Sequence, residues 1–295
     1  MVMINKTKRI FLIAILFMGN AFGQEQKSKN MTIISKEKHK EGMHNLKIID
    51  GVAGEKVLES LEDISPDLAT YIIEFAFGVI YARPLLDLKT KEIVVVAGLT
   101  AMGNVEPQLK VHLNAALNVG WTIVEIQEVI LQMSVYSGFP SAVNGMNALK
   151  EVLTERKERG INDPKGINQQ TKIPKDKTRL DIGIEQLEKL NVVSIDKLNE
   201  AYENVSPDFI KYVLEYGFAD ILARPGLDYK TREMVTIAAL TSLGITNQLK
   251  LHIKGAMNLG VTKEEVAEIM ILMGVFSGFP KAVNGTMVLK QVINE

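Results

Sequence analysis

The chain carries one helical stretch twice, and that duplication limits its fold more than any other feature. The second copy reads Thr231-Arg232-Glu233-Met234-Val235-Thr236-Ile237-Ala238-Ala239-Leu240 and, after a short loop, Gln248-Leu249-Lys250-Leu251-His252. The first reads Thr90-Lys91-Glu92-Ile93-Val94-Val95-Val96-Ala97-Gly98-Leu99, then Gln108-Leu109-Lys110-Val111-His112. The offset is 141 residues before the central loop and 140 after it, so the first copy holds one extra loop residue. The match runs outward in both directions. Ser65-Pro66-Asp67 answers Ser206-Pro207-Asp208, Ala82-Arg83-Pro84 answers Ala223-Arg224-Pro225, and Ser137-Gly138-Phe139-Pro140 answers Ser277-Gly278-Phe279-Pro280. A repeat this long is a duplicated domain, not a short-period solenoid of roughly 20 to 50 residues per unit.

The local signals are helical throughout. Ser65-Pro66-Asp67 supplies an N-cap, a proline at the first helical position and an acid in the first turn. Leu68, Ile72, Phe75 and Val79 then recur at helical steps as an apolar stripe, which ends at Arg83-Pro84. Asp87 caps the helix that holds Glu92. The body of that helix, Ile93 to Met102, carries no charge, as expected of a helix buried on every side. The helix of His112 stops at Gly120. Thr122 to Glu125 is a capping box, repeated at Thr262 to Glu265. No alternating strand pattern stands out. The expectation is an all-α fold of two tandem helical domains, over 54–154 and 179–295. Residues 155–178, rich in charge, Gly and Pro, read as a linker.

Ahead of the repeats, Lys6, Lys8 and Arg9 precede the apolar run Ile10 to Met18, and Ala21-Phe22-Gly23 offers small residues for cleavage. Residues 1–23 therefore read as a signal peptide and the protein as exported, periplasmic or secreted. Residues 24–53 read as a polar N-terminal tether or leading helix, with His39 and His44 weak as metal ligands. No later run is long and apolar enough for stable membrane insertion. The net charge of −1 gives no footprint for nucleic acid. The absence of cysteine excludes disulfides, thiolate metal sites and thiol catalysis. Phosphate loops, His-Glu-x-x-His helices and nucleophile elbows are missing.

The chemistry then rests on Glu92 with His112 and on Glu233 with His252. Two of only four histidines hold one equivalent position. An imidazole beside a carboxylate in apolar surroundings suits proton transfer. The same pair equally suits a structural tie between two buried helices, and both readings stay open. Arg83 and Arg224 are candidate forks for a substrate carboxylate, or covers for helix C-termini. Gln108 and Gln248, one turn before the histidines, are candidates to face the same side. Trp121, Met133, Met273, Phe139 and Phe279 read as core, and Ser137 and Ser277 as helix caps.

The run from Arg224 to Gly285, with its parallel copy from Arg83 to Gly145, resembles the carboxymuconolactone decarboxylase family within the alkylhydroperoxidase D-like superfamily. The motifs are Arg-Pro-Gly-Leu-Asp, Lys-Thr-Arg-Glu, Gln-Leu-Lys-Leu-His-Ile-Lys-Gly-Ala-Met-Asn-Leu-Gly and Phe-Ser-Gly-Phe-Pro-Lys-Ala-Val-Asn-Gly. The resemblance covers 55–153 and 180–293. It implies a small all-helical domain that assembles as a homo-oligomer, commonly with six domains in a ring, which a two-domain chain would complete as a trimer. It implies decarboxylation of a small carboxylated lactone or keto acid, with no metal or organic cofactor. In that reading Glu92, His112, Glu233 and His252 are catalytic, and Arg83, Arg224, Gln108 and Gln248 bind substrate. The superfamily's peroxidase branch places a Cys-x-x-Cys between the Glu and the His. Those positions fall here on Ile245 and Gln248, so a family-level peroxiredoxin label finds no thiol. The alternative is a non-catalytic helical protein that oligomerises or binds a small ligand.

Overall fold

The computed structural model describes residues 36–295, except 50, 62 and 168–173. The leader read over 1–23 lies outside the described residues. Among those described, every regular element is a helix, and none is long and apolar enough to cross a membrane. They fall into two compact units, one holding the chain up to Leu46 and Ser60–Ala82, the other Lys47–Glu59 and Arg83–Glu295. This division does not follow the two copies of the repeat. The tandem halves instead show as two helix sets of equal order, most of which belong to the larger unit.

The smaller unit holds most of α1 (36–49), α3 (Pro66–Tyr71) and a π-helical continuation, Ile72–Ile80. Asn45 Nδ2 donates to the Phe77 carbonyl at 2.8 Å. The apolar stripe expected from Leu68, Ile72, Phe75 and Val79 is not the buried face. Leu68, Phe75 and Val79 are exposed, and Ile73, Ala76, Phe77 and Ile80 are buried instead. The run Ile72–Ile80 is apolar on adjacent faces, both offering three- and four-residue steps, and the buried face lies one residue along from the expected stripe. Ser65 and its counterpart Ser206 stand at N-cap positions, but neither hydroxyl makes the cap bond.

The larger unit contains α2 (Val52–Glu59), α4 (Leu88–Met102), α5 (Glu106–Asn118), α6 (Ile123–Tyr136) and α7 (Phe139–Glu158). It continues with α8 (Arg179–Leu190), α9 (Ile195–Tyr202) and α10 (Pro207–Tyr212), which runs on as a π-helix to Leu222. Helices α11 (Tyr229–Leu243), α12 (Thr246–Asn258), α13 (Lys263–Phe276) and α14 (Phe279–Ile293) complete it. Helices α4 and α11 lie against each other at the centre and are buried from Lys91 to Ala101 and from Arg232 to Ser242. Their starts are fixed by Asp87, which accepts from Thr90 N at 2.7 Å, and by Asp228, which accepts from Thr231 N at 2.9 Å. Both capping boxes of α6 and α13 form.

Residues 36–49 form a helix, one of the two readings of that stretch. Gly42 in α1 and Gly183 in α8 are 141 residues apart, and each meets a carbonyl of the following π-helix, Ile73 O or Leu214 O. This correspondence lies ahead of residue 54. The linker is irregular over 161–167 but pinned: Ile123 N and Val124 N donate to the carbonyls of Pro164 and Lys165 at 3.0 Å. Buried Arg156 also forks onto Asp163 at 2.9 and 2.7 Å. Phe139 and Phe279 are 62% and 60% exposed, whereas Trp121, Met133 and Met273 are core. The two phenylalanines open α7 and α14 just after a positive-φ glycine, before the helix turns inward.

A methyl on Gly183 would sit 2.3 Å from the Leu214 carbonyl oxygen. Gly183→Ala is therefore expected to push α8 off its neighbour and lower stability by about 1 to 3 kcal/mol, read from urea denaturation midpoints.

Candidate functional site

The central helices α4 and α11 each deliver a glutamate from an early turn into the interior. The following helices, α5 and α12, deliver a histidine opposite it. His112 Nδ1 lies 2.8 Å from Glu92 Oε2, and His252 Nδ1 lies 2.8 Å from Glu233 Oε2. The four candidate catalytic residues are thus brought together in two pairs. With the carboxylate on Nδ1, the imidazole is oriented as an Nδ1–H donor and Nε2 is left for other chemistry. Space for the second pair comes from Gly255, whose absent side chain admits Leu190 and Glu233 Oε2 at contact distance.

The pairs differ in surroundings. Glu92 and His112 are 0% and 5% exposed, and Glu92 Oε1 is buried without a hydrogen-bond partner. The His252 side chain retains 13% exposure. Each imidazole is walled by an aromatic ring from the last turn of a helix in the opposite repeat. Phe276 of α13 stands edge-on to His112 at 4.7 Å between ring centres, and Tyr136 of α6 stands edge-on to His252 at 5.3 Å. Tyr136 and Phe276 are equivalent positions directly before the Ser-Gly-Phe-Pro turn. Sequence reasoning passed over them. The signal available was the Tyr/Phe difference in otherwise matched turns.

The arginines also cross between repeats. Arg83 forks onto Glu268 of α13 at 2.7 and 2.5 Å, and Arg224 forks onto Glu128 of α6 at 2.9 and 2.6 Å. The expected role of these forks, holding a substrate carboxylate, is taken by protein carboxylates, which hold both guanidiniums above their ordinary pKa. Glu128 and Glu268 are equivalent residues that sequence reasoning missed. Gln108 and Gln248 are exposed in the first turns of α5 and α12, one turn ahead of the inward-facing histidines. Ser137 and Ser277 donate to the carbonyls of Met133 and Met273 at 2.9 and 2.8 Å, as caps.

Glu128 also receives Arg232, which is 1% exposed, at 3.0 Å. Its counterpart Glu268 faces Lys91, whose Nζ donates to the Arg83 carbonyl at 2.5 Å and whose pKa is lowered by burial. A cavity of about 450 Å3 opens at the N-terminal ends of α4 and α11, between Asp87, Thr90, Asp228, Thr231 and Trp121. A second, also about 450 Å3, lies between α6 and α7. Neither is lined by His112 or His252. Among the described residues no group of three or more His, Cys, Asp or Glu is placed to hold a metal ion.

Removing Glu128 takes a direct hydrogen-bond partner from the buried Arg232 charge, whereas on the other side buried Lys91 keeps the Arg83 carbonyl and Arg83, 42% exposed, can turn to water. Glu128→Gln is expected to lower stability by about 3 kcal/mol or more, and Glu268→Gln by about 1. Parallel urea titrations measure the difference.

Known proteins share both halves. Residues 66–151 and 207–291 each match the sequence model of the Carboxymuconolactone decarboxylase family. The chain is 36% identical over 123 residues to the 4-carboxymuconolactone decarboxylase of Acinetobacter baylyi, covering 40% of this chain and 89% of that protein. It is 28% identical over 109 residues to the nitrosuccinic acid decarboxylase of Metarhizium robertsii, covering 36% of this chain and 76% of that protein. In fold it is similar to a crystal structure from Burkholderia xenovorans described as a candidate gamma-carboxymuconolactone decarboxylase subunit. The TM-score is 0.55 at 22% identity, over 87% of this chain and 98% of the other. With both repeats matched, the chain belongs to the carboxymuconolactone decarboxylase family, as a tandem of two all-helical domains.

Proposed function

We propose that the chain decarboxylates a small carboxylated lactone or β-keto acid without a cofactor, using an imidazole held by a Glu/His pair as the proton carrier. The observation that carries this reading is the 2.8 Å contact between a buried carboxylate and Nδ1, made in both copies. Such a contact fixes the ring and leaves Nε2 for proton transfer. In the reaction the C–COO⁻ bond breaks and its electron pair moves into the conjugated carbonyl. Nε2 takes a proton from water and passes it to the carbon as CO2 leaves. Apolar surroundings favour the loss of the substrate's carboxylate charge. Two relatives named as decarboxylases support the reaction class. With Arg83 and Arg224 bound to Glu268 and Glu128, the arginines support the site by tying the repeats together.

A second reading, in which the pairs only tie helices, is favoured by the near-complete burial of Glu92 and His112. The test is CO2 release from a panel of carboxylated lactones and β-keto acids. The protein is expected to release CO2 from at least one of them. The double variant His112→Gln/His252→Gln is expected to lose at least about 100-fold of that rate while keeping its helical circular dichroism. Equal rates in a folded double variant would leave the structural reading standing.

A further inference from the structure

The two copies of the site have diverged around the imidazole, and the divergence is concentrated in one chain of contacts. Beginning at Glu128, Arg232 donates from Nη2 to Glu128 Oε2 at 3.0 Å and from Nη1 to Gln132 Oε1 at 2.9 Å. Arginine only donates, so it fixes the Gln132 amide: Nε2 must point the other way. That Nε2 donates to Thr236 Oγ1 and to the Arg232 carbonyl, each at 2.8 Å. The Thr236 side chain in turn lies beside the Tyr136 phenol. The Tyr136 hydroxyl lies 3.4 Å from His252 Nε2, and His252 Nδ1 lies 2.8 Å from Glu233. With the amide set by Arg232, Gln132 donates to Thr236, which stands beside Tyr136, and the phenol donates to His252 Nε2 while His252 Nδ1–H donates to Glu233.

The first copy keeps the ends of this chain and has lost its middle. The residues at the positions of Arg232, Gln132, Thr236 and Tyr136 are Lys91, Leu272, Val95 and Phe276. The charges and the Glu/His pair survive, but the three hydrogen-bonding side chains between them have become apolar. Phe276 brings a ring against His112 in the place of Tyr136, and a phenyl ring has no hydroxyl to give. Burial, with the Glu233 carboxylate nearby, pushes the Tyr136 phenol above its ordinary pKa, so it remains a donor throughout the neutral range. His112, 5% exposed, faces a phenyl wall where His252 faces a hydroxyl.

We propose that the two pairs have parted in role: His252 alone carries the proton, Tyr136 and Thr236 are the positioning residues that present its Nε2, and Glu92–His112 ties α4 to α5. This rests on the proton-transfer reading above. In the resting site the Tyr136 hydroxyl occupies Nε2. When an anionic substrate enters, His252 takes a proton from water on Nε2, the nitrogen that Glu233 leaves open. That proton passes to the carbon losing CO2, and the neutral imidazole returns to Tyr136. Net, the substrate carboxylate and one water become CO2, a C–H bond and hydroxide.

The duplication supplies its own test substitutions, because the first copy already tolerates the apolar counterparts. In full-length protein labelled with nitrogen-15 histidine, with signals assigned by His→Gln variants, Tyr136→Phe is expected to shift the Nε2 signal of His252. Both nitrogens of His112 should stay in place. On any compound that is turned over, Tyr136→Phe and Thr236→Val are expected to lower kcat by about tenfold or more with little change in KM, and Thr236→Ser to restore most of it. His252→Gln should remove turnover, whereas the loss in His112→Gln should follow its loss of folded protein. Equal losses per folded molecule in the two His→Gln variants would overturn the division of roles while leaving the decarboxylase reading intact. An unmoved His252 Nε2 signal in Tyr136→Phe would overturn the hydrogen-bond chain. Turnover of no compound, with the His252 signal shifted, would remove the decarboxylase reading and keep the chain.

Discussion

The structure depends on two helices that are buried on every side over most of their length, α4 and α11, lying against each other. A helix so enclosed must be surrounded, and each serves as part of the other's surroundings. Gly98 marks how close the approach is. A methyl there would meet Ser242 Oγ at 2.8 Å and Met273 Sδ at 2.9 Å. Because these helices also carry Glu92 and Glu233, the packing that makes the core takes two carboxylates inside with it.

Burying those carboxylates demands partners, and the partners come from different distances in the chain. The histidines come from the next helix in each copy. The remaining groups come from the opposite copy: Glu128 and Glu268 reach Arg224 and Arg83, and Tyr136 and Phe276 reach His252 and His112. The duplication is therefore interlocked. Each half completes the surroundings of the other's imidazole, so a change in one half alters the chemistry of the site in the other. This arrangement allows two sites to diverge without either half losing its own fold. A Tyr-to-Phe change in α13 or α6 leaves packing almost unaltered and removes one hydroxyl from the opposite imidazole.

Much of this was legible from residues close together in the chain. The caps at Asp87 and Asp228, the boxes at Thr122 and Thr262 and the pairing of each Glu with its His depend on contacts within about twenty residues, and sequence spacing reports them. Two local readings failed for identifiable reasons. The stripe through Leu68, Phe75 and Val79 is one of two adjacent apolar faces with the same helical steps, and Ile73, Ala76 and Ile80, one residue along, take the buried one. Phe139 and Phe279 were counted with the core because they are large and apolar, although they sit in first turns that face outward.

The sequence by itself determined the helical class, the duplication, the family and the Glu/His pairs, because each is set by local spacing and by repetition within one chain. Only the tertiary structure decided what faces each imidazole and what fills each arginine fork. Those contacts join side chains 96 to 185 residues apart, across helices whose relative placement no local pattern encodes. The Tyr136/Phe276 difference was visible as letters all along. It acquired a chemical meaning when the packing of α6 over α11 brought the hydroxyl to His252.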